Sequence, residues 1–333
     1  MTDSIQFITK IEIKELWDRY DLVWELDRDV NILSGINGSG KSTVLNIVGS
    51  IVSEGTLSEK LTKLIDIAVI EFNNKHEIRF TNGRYLIERA KTDEKYREIS
   101  ESIKEVNYAV YEKLKSGKLG VIGFDDKFIV GKWDKQIVCN LISTFDKPLK
   151  ETSVPDENVK TELDKDIYLL QKQYLDYQLN IGKKAFDIVS KSNGSNSMQA
   201  VLDIKKQQER FLEIMDSLFK DTDKKIDRTK NEIAFISGEK TLTPYQLSSG
   251  EKQILVILLT VLIQNNKSSI LFMDEPEISL HIDWQKKLIQ YIKELNPNVQ
   301  IILATHSPAV VMEGWLDKVS EMSDLITFDR KAK

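Results

Sequence analysis

The chain has 333 residues, 41% of them hydrophobic and 30% charged, and a formal net charge of −5. That length and apolar content suffice for one large domain or two smaller ones with a sizeable core. The acidic balance excludes a strong global attraction to nucleic acid, though not a local basic track.

Cys139 is the single cysteine, which excludes an intrachain disulfide and an all-cysteine zinc site. The opening MTDSIQFITK is polar, so no secretory signal is expected. No apolar run approaches the roughly 20 residues of a membrane-spanning helix. The longest run, 254–263, reads as a core helix. A cytoplasmic protein with no membrane partner is the expectation.

In chain order, residues 5–14 (IQFITKIEIK) alternate apolar and polar, the period of a half-buried strand. Residues 22–26 (LVWEL) and 30–33 (VNIL) read as two more strands. GINGSGKS, residues 35–42, then fits the spacing G-x-x-x-x-G-K-[ST] of a phosphate-binding loop, and a helix-compatible run follows over 42–50. In that strand–loop–helix setting glycines turn backbone N–H groups toward phosphate oxygens at the positive end of a helix. Asn37, Gly38, Ser39, Gly40, Lys41, Ser42 and Thr43 are therefore the candidate nucleotide contacts. Lys41 is placed to reach the β/γ-phosphates and Ser42 to hold Mg²⁺.

Segments 65–72, 76–80 and 84–89 read as strands, with Asn73-Asn74 and Asn82-Gly83 as hairpin turns, so an antiparallel β-layer is expected near the loop. Residues 94–115 read as helical, and 128–130 and 137–142 as strands. Composition changes over 156–230, which is rich in Lys, Asp, Gln, Leu and Glu. Ile167, Leu170, Tyr174, Tyr177 and Ile181 follow helical spacing, as do Val201, Ile204, Phe211, Ile214, Met215 and Leu218 less regularly. The break SNGSNS at 192–197 predicts a helical hairpin with arms of about 20–35 residues, roughly 30–50 Å long. It is either a separate working part or an ordinary helical subdomain packed on the rest. A short strand is expected over 231–237.

Three later stretches carry chemistry. LSSGEKQ, residues 247–253, opens the long apolar helix; its backbone N–H groups suit an anion, although Ser248 also reads as a plain N-cap. SILFMDEP, residues 269–276, is a buried strand delivering two acids to its C-terminal end, where α/β sheets bind ligands. Asp274 suits the Mg²⁺ shell, and Glu275 suits polarisation of an attacking water. IILATHSP, residues 301–308, is a third buried strand that brings His306 to the same sheet edge, where it can sense a γ-phosphate.

The order of GINGSGKS, LSSGEKQ, ILFMDEP and the histidine of ATHSP resembles the Walker A, signature, Walker B and H-loop of ABC-type ATPases of the RecF, SMC, Rad50 and OLD-like group (AAA_15/AAA_21). The resemblance implies an α/β fold: an ABC-type P-loop head with an N-terminal antiparallel β-layer and an inserted helical hairpin. Its lobes fall at 1–155 and 231–333 around the hairpin at 156–230. EISLHIDWQ stands where a D-loop belongs, with His281 at the usual aspartate. Q-loop candidates are Gln136 and the segment 143–146.

The resemblance further implies that two copies clasp ATP, with Ser248 as signature serine and Gly250 as backbone donor to the γ-phosphate held by the other copy. A homo-oligomer, at least a dimer, and slow ATP hydrolysis follow. A transporter ATPase is disfavoured by SSGEKQ and the hairpin, and Rad50 by a tip without paired cysteines. No Toprim-like nuclease segment follows His306, so an effector on a separate chain is expected, as in the ATPases of the PARIS and Septu anti-phage systems. The alternative is a DNA-repair ATPase. Lys205, Lys206 and Arg210, with Lys224, Lys225, Arg228 and Lys230, are the basic clusters that DNA would use, unless they form a solvated helix face.

Overall fold

The computed structural model describes residues 4–106, 108–116, 120–124, 127–129, 137–143, 148–149, 156–191 and 196–329. Strands β1 (Ile8–Leu16), β2 (Tyr20–Glu25) and β3 (Val30–Ser34) lead into helix α1 (Lys41–Glu54). A short α2 (Glu59–Thr62) precedes β4 (Ile67–Phe72) and β5 (Glu77–Asn82), joined by the expected turn after Phe72.

The strand expected over 84–89 is instead helix α3 (Gly83–Arg89), and Asn82-Gly83 is not a hairpin turn. Asn82 is buried; its amide donates to the carbonyls of Thr62 (2.7 Å) and Ile65 (3.0 Å), and its side-chain oxygen caps the helix by accepting from Arg84 N–H (2.8 Å). A short apolar run has no decisive period, and a polar cap fixed by tertiary bonds selected the helix. Helices α4 (Glu94–Val106) and α5 (Tyr108–Lys115) pack with it around Leu86, Ile103 and Leu114. Strands β6 (Gly120–Phe124), β7 (Lys127–Ile129) and β8 (Val138–Ser143) follow.

Two long helices then run as α6 (Glu162–Lys191) and α7 (Asn196–Leu218), 30 and 23 residues. The spaced residues Ile167, Leu170, Tyr174, Tyr177 and Ile181 are buried, as are Phe211, Ile214, Met215 and Leu218. They share one core with the head, so the base of the hairpin packs on it. Residues 192–195, in the expected break, lie outside the described residues. Short strands β9 (Lys225–Ile226), β10 (Phe235–Ser237) and β11 (Lys240–Leu242) form a small antiparallel sheet. The chain continues through α8 (Ser249–Ile263), β12 (Ser269–Asp274), α9 (Ile282–Leu295), β13 (Val299–Ala304) and α10 (Pro308–Met312). It reaches β14 (Val319–Glu321), α11 (Met322–Leu325) and β15 (Ile326–Asp329).

Among the described residues one sheet runs β15-β2-β1-β4-β5-β6-β7 and is antiparallel throughout. A second, β14-β3-β13-β12-β8, is parallel throughout. Helix α1 lies between them: Val44, Ile47, Val48 and Ile51 pack with Ile11 and Ile13 of β1 and with Ile270, Phe272 and Ile302 of the parallel sheet. The alternate residues Leu271, Met273, Ile301 and Leu303 face the other way, onto α8, α9 and the hairpin base. Strands buried on both faces read as near-continuous apolar runs, which is why these segments show no alternation. Helix α8 is buried all round for the same reason. The strand order sets β3, β13 and β12 side by side and parallel, so their three C-terminal ends share one edge.

Candidate functional site

The first of those ends is the turn from β3 into α1. Gly40 has φ +106°, and a Cβ there would run into the ring of Trp17 from the β1–β2 turn, so both conformation and contact demand glycine. Lys41 is 4% exposed; its Nζ donates to the carbonyls of Gly35 (2.9 Å) and Ile36 (3.2 Å). Burial pushes the Lys41 ammonium below the usual lysine range, opposed by the nearby carboxylates of Glu275 and Asp274. Ser42 Oγ donates to Asp274 Oδ1 at 2.8 Å, linking the loop to the end of β12. Burial pushes Asp274 up; the Ser42 bond opposes this and the charge of Glu275 adds to it.

Glu275 takes a left-handed backbone, φ +49°, and its N–H donates to Ala304 O at 2.8 Å. That conformation is uncommon for a residue with a Cβ and re-aims the chain as it leaves the strand. His306 Nε2 stands 3.3 Å from Glu275 Oε1. Asn37, Gly38, Gly40, Lys41, Ser42 and Thr43 line a cavity of about 680 Å³ together with Glu275, His306 and Trp17. Ser39 lines a neighbouring cavity, and its buried Oγ has no hydrogen-bond partner.

Ser248 and Gly250 are not among the residues lining the 680 Å³ cavity. Ser248 caps α8: Glu251 N–H donates to its Oγ at 3.4 Å, and its own N–H and hydroxyl donate to Glu251 Oε2, each at 2.9 Å. This is a capping box. Glu251 is buried and also accepts from Lys224 and Thr222, each at 2.9 Å. Its burial alone would raise its pKa, but the bonds from Lys224, Ser248 and Thr222 hold it below the usual range. Beside it Lys252 pairs with Asp164 at the start of α6, 2.7 Å. A Cβ on Gly250 would collide with the Ser279 carbonyl, so the signature turn lies hard against the segment after β12.

His281, at the D-loop position, caps α9: its Nδ1 accepts from Asp283 N–H at 3.4 Å. Gln136 and residues 144–146 lie outside the described residues. Sequence reasoning missed Trp17, which no local pattern marks, and Glu277, whose signal was a further acid just after Asp274-Glu275-Pro276. Glu277 is buried and accepts from Thr305 Oγ1 (2.5 Å) and from the N–H groups of His306 (3.0 Å) and Ser307 (3.2 Å).

Among the described residues no group of three or more His, Cys, Asp or Glu side chains could hold a metal alone. The oxygen pair Ser42 and Asp274 suits Mg²⁺, which takes one or two protein oxygens and completes its shell with phosphate oxygens and water. Three residues of the basic clusters are paired within the chain: Arg210 with Glu294 (2.7 Å), Arg228 with Asp216 (2.6 Å) and Lys224 with Glu251. No helix among the described residues is long and apolar enough to cross a membrane.

Comparison with known proteins agrees with this layout. Residues 149–313 match a family described as "AAA domain, putative AbiEii toxin, Type IV TA system" (AAA_21). The chain is 27% identical over 227 residues to the Retron Vc95 probable ATPase of Vibrio cholerae serotype O1 biovar El Tor, covering 64% of this chain and 41% of that protein. It is 32% identical over 97 residues to the Retron Ec83 probable ATPase of Escherichia coli, covering 26% and 18%. The chain thus spans less than half the length of these curated relatives. Among solved structures, an SMC head bound to the C-terminal winged-helix domain of ScpA superposes with a TM-score of 0.54 at 14% identity, covering 92% of each chain. Motif order, the AAA_21 match over residues 149–313 and the two-sheet layout around α1 make this chain similar to ABC-type P-loop ATPases, and its fold is that of an ABC-type head such as the SMC head.

Proposed function

We propose that the chain binds and slowly hydrolyses ATP, that two copies close head to head around the nucleotide, and that this closure gates a separate effector in anti-phage defence. One observation carries the reading: Lys41, the Ser42–Asp274 pair and the Glu275–His306 pair line or border one cavity, while Ser248 stands apart from it. One chain therefore offers a phosphate cradle, an oxygen pair for a metal and an acid–histidine pair, but not the signature serine.

In this mechanism Lys41 exchanges its loop carbonyls for phosphate oxygens. Ser42 and Asp274 hold Mg²⁺, which when bound neutralises phosphate charge. Glu275 accepts a proton from the attacking water as that water's oxygen bonds to the γ-phosphorus. The bond to the bridging oxygen breaks and ADP leaves with the electron pair. His306 holds Glu275 in line and donates to the γ-phosphate from the edge of the same cavity.

The defence setting is supported by the retron names of both relatives and by the toxin–antitoxin wording of the family description. Its site of action is then the cytoplasm. A DNA-repair ATPase draws less support, because Arg210, Arg228 and Lys224 are engaged by acids of the same chain.

The test is the mass of Glu275→Gln in ATP and Mg²⁺ by light scattering, beside Lys41→Ala. The expected result is a stable dimer for Glu275→Gln with ATP and none for Lys41→Ala. Parental turnover by Glu275→Gln, or a monomer at every ATP concentration, overturns the reading. Duplex binding that weakens steeply with salt would favour repair instead.

A further inference from the structure

We infer that Glu277 is a positioning residue for the Glu275–His306 pair, an inference that rests on the ATPase reading above. Three donors converge on Glu277 Oε1, and all belong to the turn after β13: Thr305 Oγ1 at 2.5 Å, His306 N–H at 3.0 Å and Ser307 N–H at 3.2 Å. The same turn is held from its far side, where Ser307 Oγ donates to Gln285 Oε1 at 2.6 Å. Gln285 in turn donates to the carbonyls of Glu277 (3.3 Å) and Leu280 (2.9 Å). A closed ring of bonds therefore runs from the segment after β12, through the His306 turn, to α9 and back.

The ring sets where the His306 imidazole hangs. Glu275 is anchored to the end of β13 by its own N–H on Ala304 O. His306 has its backbone clamped by Glu277, two residues beyond Glu275. The 3.3 Å approach of His306 Nε2 to Glu275 Oε1 is the product of these two anchors. Glu277 is only 8% exposed, and its second oxygen, Oε2, is buried without a hydrogen-bond partner. A buried carboxylate satisfied at one oxygen is costly to keep and calls for a reason beyond filling space. Holding three donors of the histidine turn in one geometry is that reason, since misplacing a reacting group by about 1 Å can cost roughly 100-fold in rate.

The clamp needs an acceptor oxygen more than a charge, so Glu277→Gln separates it from a purely structural role. Turnover and ATP affinity are measured for the parent chain, Glu277→Gln and Glu277→Ala. The His306 ring signal is followed by NMR in each; the chain has only His76, His281 and His306, so assignment is direct. In Glu277→Ala, kcat is expected to fall at least about tenfold while ATP affinity stays within about threefold. There the His306 signal no longer moves when Glu275→Gln is added. Glu277→Gln is expected to recover most of the turnover and that response.

Turnover in Glu277→Ala within about threefold of the parent, with an unchanged His306 signal, overturns the inference. So does a Glu277→Gln chain as impaired as Glu277→Ala. Should Glu277→Ala fail to fold, Thr305→Val removes the shortest of the three bonds at constant volume, and an unmoved His306 signal there counts against the clamp. A parent chain without Lys41-dependent turnover sinks the ATPase reading instead, and the His306 signal still decides the clamp.

Discussion

At the residue scale, Asp274 shows what the proposed Mg²⁺ position costs the fold. Its carboxyl is buried beside Glu275, so its folded-state pKa lies above the ordinary value of 3.8, although Ser42 donates to it. For a raised pKa the favourable contribution is complete below the unfolded value and is lost as pH rises through the folded one. At neutral pH the ionised Asp274 is therefore a burden on the fold. Asp274→Asn keeps an acceptor for Ser42 and is expected to raise the melting temperature at neutral pH. That gain should shrink as the pH is lowered toward 3.8; a gain that grows with acid contradicts the sign. The same substitution should cut Mg²⁺-dependent turnover by about 100-fold, read in a phosphate-release assay. The position of Asp274 and Glu275 at the end of a buried strand was legible from SILFMDEP, because an apolar run closing on two acids is a local signal. Glu277 was not, because its role exists only once β13 delivers three donors to it.

At the scale of elements, the first turn of α8 is the junction between head and hairpin. Glu251 closes the capping box with Ser248 and takes Lys224 and Thr222 from the segment after α7, while Lys252 pairs with Asp164 on α6. Both arms are therefore tied to the two residues that follow Gly250. Glu251→Ala strands a mostly buried lysine and removes the cap partner. It is expected to cost about 3 kcal/mol in chemical denaturation, the range for breaking a buried pair on one side. A loss below about 0.5 kcal/mol would mean the pair is idle. The N-cap at Ser248 was readable in the sequence, but the hairpin partners of Glu251 and Lys252 were not: they lie 27 and 88 residues away. The same distinction explains α3, where the pattern over 84–89 suggested a strand and a cap anchored to Thr62 and Ile65 imposed a helix.

At the scale of the whole molecule, the proposed head-to-head closure makes a sharp demand on mixtures. Ser248→Arg spoils the contributed serine and Lys41→Ala spoils the receiving loop, so each chain alone is expected to be inactive. Mixed in equal amounts, random pairing into two-fold dimers leaves one intact composite site in half of the dimers, or about a quarter of parental turnover. No recovery, with mixed dimers demonstrated by mass, counts against exchange of motifs between copies.

The sequence by itself determined the phosphate loop, the acidic strand end, the terminal histidine and the helical arms. These are local signals, written in glycine spacing, apolar runs and helical period within stretches of roughly ten to thirty residues. Only the tertiary structure decided that β3, β13 and β12 stand side by side, that Trp17 reaches the loop, and that Glu277 grips the histidine turn. Those facts depend on strand order and on bonds between residues far apart in the chain. Such contacts form only when the sheet does, and no single stretch of residues records them.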